Sequence, residues 1–182
     1  MSASVPLWTS DYVKAWTCNF IIFFAFMLMT PLLPLYLQDN FCADKDAIGL
    51  VLSGYTVTAL LFRSVGGWLV DSLPRHKVLV VSWLFFSLFF AGYFLTTTIV
   101  LFAVVRTLHG IPFATVTVSN STAAIDVLPS ERRAEGIGYF GLSNNLATAI
   151  APTVGLAIYE YTRSFDLIFG IALAASLLGV WL

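Results

Sequence analysis

Long runs without an ionised side chain alternate with short charged turns along the whole chain. Residues 15–38 carry no charge, 47–70 are interrupted only by Arg63, 78–125 only by Arg106, and 136–159 and 167–182 again carry none. A helix needs about 20 apolar residues to cross the hydrocarbon core of a bilayer, so 78–125 is two helices, divided near Thr96-Thr97-Thr98. The pattern predicts an all-α membrane protein with six spans at about 13–38, 47–70, 78–97, 99–124, 136–159 and 166–182. The last is short and reaches Leu182 without a polar exit, which predicts a truncated chain.

Within the spans, small and polar residues recur at helical spacing. In the fifth, Gly138, Gly141, Asn145, Thr148, Pro152, Gly155 and Tyr159 return every three or four positions. Such a stripe has two readings: close helix packing, or a moving interface or cavity wall. Pro152 removes one backbone hydrogen bond and neighbouring glycines tolerate a bend, so Gly138, Pro152 and Gly155 form a candidate hinge. Pro31 and Pro34 offer the same device near the outer end of the first span.

Composition agrees with the pattern: 59% of residues are hydrophobic and 10% charged, and the mean hydropathy is +0.88. Soluble domains carry about a quarter charged residues. The net charge of −1 gives no footprint for nucleic acid. Lys14, Arg75, Lys77, Arg132 and Arg133 fall on one side of the predicted spans, Lys45 and Arg163 on the other, which places the N-terminus and the basic loops in the cytoplasm. The first span is too long for a signal peptide and lacks a small-residue cleavage site. Cys18 and Cys42 are far apart, with no metal-ligand spacing. No metal or cofactor is expected, and no nucleophile with a base or His-x-x-x-His pair suggests an enzyme.

Arg106 is the costliest residue of the pattern. It sits about seven residues, or roughly 10 Å, inside the outer end of the fourth span, where an arginine costs on the order of 2.5 to 3.5 kcal/mol. Either it snorkels to the outer interface or it faces a polar cavity and pairs with a substrate group or an internal acid. Ala103, Arg106, Gly110, Ala114, Thr117 and Ser121 share a helical face, which supports the cavity. His109, one residue off that face, reads as packing or hydrogen bonding rather than proton carriage. Asn19, Asn120, Asn144 and Asn145 are the other polar groups at depth, each costly if unpaired in hydrocarbon. The candidate cavity residues are therefore Arg106, Asn19, Gly110, Asn120 and Asn145. Arg63, about two turns from the inner end of the second span, reaches either Asp71 or the interface.

Three segments carry a family resemblance. Arg63-Ser-Val-Gly-Gly67-Trp-Leu69-Val-Asp71, followed by Arg75 and Lys77, resembles the loop signature between helices 2 and 3 of the major facilitator superfamily, usually Gly-x-Leu-Ala-Asp-Arg-x-Gly-Arg-Lys. Gly67, Leu69, Asp71 and Arg75 match; Ser72, Pro74 and His76 depart from it, and Lys77 comes one place late. Arg106 through Ala114 is similar to the superfamily's helix 4 signature, and Gly138, Ala147, Ala151-Pro152 and Gly155 to the helix 5 signature of its drug and metabolite antiporters. The resemblance implies a six-helix bundle, the N-terminal half of a twelve-helix fold built from inverted three-helix repeats, with the C-terminal bundle absent. It implies a gating loop of Arg63, Gly67, Asp71, Arg75 and Lys77, in which Asp71 meets the positive end of a helix in the second bundle.

The implied function is secondary active transport by alternating access, with proton-coupled export of small molecules in a plasma or inner membrane. The implied partners are a small-molecule substrate, protons, the lipid bilayer, and the missing bundle or a second half-subunit. No Asp or Glu lies inside a span, Asp166 standing at the outer edge of the last, so a proton-binding carboxylate would belong to the second bundle. Two alternatives stand beside this reading: uptake of a sugar or organic anion by the same fold, and a six-helix membrane scaffold that transports nothing.

Overall fold

The structure, a computed structural model, describes residues 6–181. Leu182, the last residue of the sixth expected span, lies outside the described residues. The first helical rod is α1 (Ser10–Met29), a 3-10 turn (Thr30–Leu32) and α2 (Leu33–Phe41); α3 (Lys45–Ser72), α4 (Arg75–Tyr93), α5 (Ile99–Asp126), α6 (Arg133–Thr162) and α7 (Phe165–Val180) follow.

Local chemistry sets these boundaries. Thr9, Asp44, Thr98 and Ser164 each accept a hydrogen bond from a backbone N–H of the first turn that follows, so α1, α3, α5 and α7 begin at side-chain caps. The Thr98 cap fixes the division of the longest apolar run. Leu73, which precedes Pro74, is extended with φ −122° and ends α3. Pro31 lies in the 3-10 turn that interrupts the α-helical bonding of the first rod, whereas α6 runs without interruption past Pro152.

The rods from Ser10 to Phe41, Lys45 to Ser72, Arg75 to Tyr93 and Ile99 to Asp126 are long and apolar enough to cross a membrane. Helix α6 has 30 residues, about 45 Å at 1.5 Å per residue, but its glycines, asparagines and threonines dilute its apolar character. Helix α7 is a shorter apolar helix of 16 residues.

Packing places α1 and α5 at the centre. Helix α5 lies against α3, α4 and α1; α1 lies against α6, α7 and α5; α4 lies against α7. Exchanging α1 with α5, α3 with α6 and α4 with α7 leaves this pattern unchanged, as a pair of three-helix repeats requires. Helices α3 and α5 run in the same direction: a Cβ on Gly54 would lie 2.5 Å from the Thr107 hydroxyl, and one on Gly110 would lie 2.7 Å from the Tyr55 carbonyl oxygen. Helices α1 and α6 repeat that arrangement, with Tyr12 donating to the Gly136 carbonyl at 2.6 Å and Gly155 against the backbone of Leu28. In lipid, such close approach through small residues replaces the hydrophobic effect as the cause of association.

The burial pattern is inverted relative to a soluble protein. Arg106, His109, Asn19, Asn120 and Ser143 are buried, while Leu50, Leu60, Leu88, Leu95 and Val100 are largely exposed. Polar groups placed inward and aliphatic groups outward suit hydrocarbon as the solvent. The buried centre is strongly aromatic, with Tyr36, Phe102, Tyr93 and Phe169 in mutual ring contact toward one end and Phe26, Tyr55, Phe86 and Phe113 below them.

Candidate functional site: the Arg106 hollow and the charged loops

Arg106 turns inward from α5, with 2% of its surface exposed. Its Nη1 donates to Tyr93 Oη at 3.3 Å and its Nη2 to Thr30 Oγ1 at 3.4 Å, while its guanidinium carbon lies 4.2 Å from the Tyr55 ring centroid and 5.0 Å from that of Phe26. A guanidinium only donates, so Tyr93 Oη accepts from Arg106, and the same oxygen lies within hydrogen-bond distance of His109 Nδ1 at 3.0 Å. The His109 ring packs nearly parallel to that of Phe89, with centroids 5.3 Å apart. Arg106 Nε and His109 Nε2 are buried without a partner. Arg106 forms no ion pair among the described residues.

Beside Arg106 is a hollow of about 410 Å³ between α1, α3 and α5. Thr30, Tyr55, Thr56, Thr117 and both Arg63 and Arg106 supply its polar lining, and no carboxylate lines it. The parallel course of α3 and α5 puts Arg63 level with the stretch near Ala114, about eight residues or roughly 12 Å below Arg106.

The other candidate residues are distributed differently. Asn19 Nδ2 donates to Ser143 Oγ at 2.8 Å inside the α1–α6 contact. Asn120 Nδ2 donates to the Ala15 carbonyl at 3.1 Å and lines a separate hollow between α1, α4, α5 and α7. Gly110 lies where α3 and α5 meet, and Asn145 is exposed on α6. The α6 stripe divides: Gly155 and Tyr159 are buried, Pro152 is half-buried, and Gly138, Gly141, Asn145 and Thr148 are exposed.

In the charged loops, Arg75 at the start of α4 forms a salt bridge with Asp126 at the end of α5, and the hydrogen bond and charge of Asp126 hold Arg75 above its ordinary value. Asp71 forms no salt bridge or hydrogen bond among the described residues, although its charge also acts on Arg75. Gly67 has open space where a Cβ would be. At the start of α6, Arg132 binds both oxygens of Glu135 at 2.8 Å and holds that carboxyl below its usual range.

Sequence reasoning passed over Thr30, Tyr55, Tyr93 and Asp126. The first three carried no signal, because a threonine or tyrosine in an apolar run is common and its partner lies on another helix. Asp126 did carry one: it is the first acid after the fourth run, on the same predicted side as Arg75.

Residues 15–182 match the model of the Major Facilitator Superfamily. The chain is 24% identical over 154 residues to the quinolone resistance protein NorA of Staphylococcus aureus (strain MRSA252), covering 85% of this chain and 39% of that protein. It is 26% identical over 151 residues to the staphylopine export protein of Staphylococcus aureus (strain Mu50), covering 82% of this chain and 37% of the relative. A crystal structure of a variant of the peptide transporter POT in complex with sulfate superposes with a TM-score of 0.85 at 19% identity, over 97% of this chain and 38% of that one. The chain thus spans less than two fifths of the length of these relatives. Its fold is the six-helix N-terminal half of the twelve-helix architecture, and with the matched residues 15–182 it belongs to the major facilitator superfamily.

Proposed function

We propose that the chain is the N-terminal bundle of a secondary active transporter that exports small molecules by alternating access, driven by proton entry, with its N-terminus in the cytoplasm. The observation that carries this reading is a buried Arg106 beside an acid-free hollow. A charge placed there without a carboxylate suits a site completed by a substrate or by a second bundle. The relatives' quinolone resistance and staphylopine export support export over uptake. Arg106 and Arg63 are the substrate-facing cations. Asn145, Gly138 and Gly141 lie on a face suited to the second bundle, and Pro152 with Gly155 is the hinge. Asp71, Gly67, Arg75 and Lys77 form the cytoplasmic gate. The apolar runs 15–38, 47–70, 78–125, 136–159 and 167–182 contain no acid, so the proton-binding carboxylate belongs to the second bundle.

Two guanidinia in one hollow without an acid favour a second reading, in which the substrate is an organic anion. Both readings are tested in proteoliposomes holding the complete protein, with an imposed proton gradient and matched cationic, neutral and anionic dyes. Arg106→Ala removes the charge, and Arg106→Lys keeps it but loses the planar fork of donors. Both are expected to slow gradient-driven dye movement at least tenfold per folded molecule. A parental rate in Arg106→Lys would remove this residue from the transport site.

A further inference from the structure

A second hollow, about 660 Å³, lies between α3, α4 and α5 and shares no lining residue with the Arg106 hollow. Its walls are hydrocarbon, supplied by Leu73, Val81, Phe85, Phe89, Leu108 and Pro112. Two hydroxyls in the lining are already engaged within their own helices: Ser82 Oγ donates to the Leu79 carbonyl at 3.1 Å, and Thr115 Oγ1 to the Ile111 carbonyl at 3.0 Å. Neither offers its proton to a guest, so a polar molecule entering the groove would forfeit its hydration.

One charge borders the groove, and it sits at the loop end. The Lys77 ammonium forms no hydrogen bond or ion pair among the described residues, whereas the side chain of neighbouring Arg75 is held by Asp126. His76 lines a different hollow, and Asp71 does not line this one. Along α4 the lining runs from Lys77 to Phe89, about 18 Å at 1.5 Å per residue. Half of a 30 Å hydrocarbon core is about 15 Å. The groove is therefore one leaflet long, apolar along its length and cationic only where headgroups lie.

We propose that this groove holds one acyl chain of an anionic phospholipid whose phosphate pairs with Lys77. The match rests on length, on the apolar lining and on charge placed at one end, and it is independent of what the protein transports. An ammonium at the interface attracts lipids of net negative charge, so the site discriminates by headgroup while the groove accepts any chain of suitable length.

The test is native mass spectrometry of the complete purified protein with equal amounts of phosphatidylglycerol and phosphatidylcholine of identical chains. Phosphatidylglycerol is expected to be retained at least threefold over phosphatidylcholine. Lys77→Gln should bring that ratio near one, and Lys77→Arg should restore it. Val81→Trp, at a half-exposed position in the α4 wall, should fill the groove and reduce retention of both lipids about threefold. Leu108→Trp does the same from the facing wall and guards against misfolding of either variant. An unchanged preference in Lys77→Gln overturns the headgroup assignment, and unchanged retention in folded tryptophan variants puts the lipid elsewhere. A dimer that Val81→Trp dissociates would assign the groove to a second copy of the chain.

Discussion

Arg106 holds its charge against two ring faces and two hydroxyls, and magnitudes indicate how nearly that suffices. Insertion of an arginine at depth costs on the order of 2.5 to 3.5 kcal/mol, and a desolvated cation–π contact returns about 2 kcal/mol. The faces of Tyr55 and Phe26 therefore offset most of the cost without any acid. The unmet part is Nε, a buried donor without a partner. The sequence shows the charge within an apolar run but not this environment, because each partner is an ordinary aromatic or hydroxyl residue contributed by another helical rod. The Arg75–Asp126 pair poses the opposite case, being exposed on both sides. Exposed pairs add little to stability, so Asp126→Asn should leave the thermal midpoint of the complete protein nearly unchanged. If the pair belongs to the gate, the same variant should lower transport several-fold, and the exchange Arg75→Asp with Asp126→Arg should recover part of it. Unaltered transport in Asp126→Asn would make the pair a surface decoration.

At the scale of the element, spacing identified α6 as unusual but did not say which part of its stripe touches anything. A sequence shows that small residues recur; only the partner backbone shows which of them it needs. Beyond Gly136, the buried residues of α6, Ser143, Ala147, Ala151, Gly155 and Tyr159, advance in steps of four, so the contact with α1 winds slowly around the helix and leaves Gly138 and Gly141 outside it. The consequence is measurable. A Cβ on Gly155 would meet the Leu28 carbonyl oxygen at 2.1 Å, a backbone atom that cannot swing aside, whereas Gly138 and Gly141 have nothing within 4 Å. Gly155→Ala is expected to cost about 1 to 3 kcal/mol through overpacking and to reduce the folded protein recovered in mild detergent. Gly138→Ala should be recovered at parental yield. Any loss of transport in Gly138→Ala would then report on a moving interface rather than on packing. Equal recovery of the two variants would contradict the α1–α6 approach itself. The helix ends, by contrast, have causes in the local sequence, as in the Thr98 side-chain cap of α5 and the extended Leu73 before Pro74 that ends α3.

For the whole molecule, alternation of charged turns with apolar runs encodes the order of the helices, while the exchange of α1 with α5, α3 with α6 and α4 with α7, implied beforehand by the family resemblance alone, is carried by the packing. Such symmetry leaves little trace in a chain whose every span uses similar residues. Orientation is the property that symmetry does not supply, and it rests on the placement of lysine and arginine. Cys42 makes it testable. It closes the first rod in a left-handed conformation with φ 52°, its N–H bonded to the Gln38 carbonyl at 3.0 Å, and its side chain is exposed; Cys18 is buried. A membrane-impermeant maleimide added outside sealed cells should label Cys42 and leave Cys18 untouched. Cys42→Gly is the fitting control, since glycine adopts a positive φ without strain and should abolish labelling while keeping the fold. If Cys42 reacted only after the membrane was opened, the rod would run the other way. The loop of Asp71, Arg75 and Lys77 would then face outward, and the assignment of that loop to a cytoplasmic gate would fall with it.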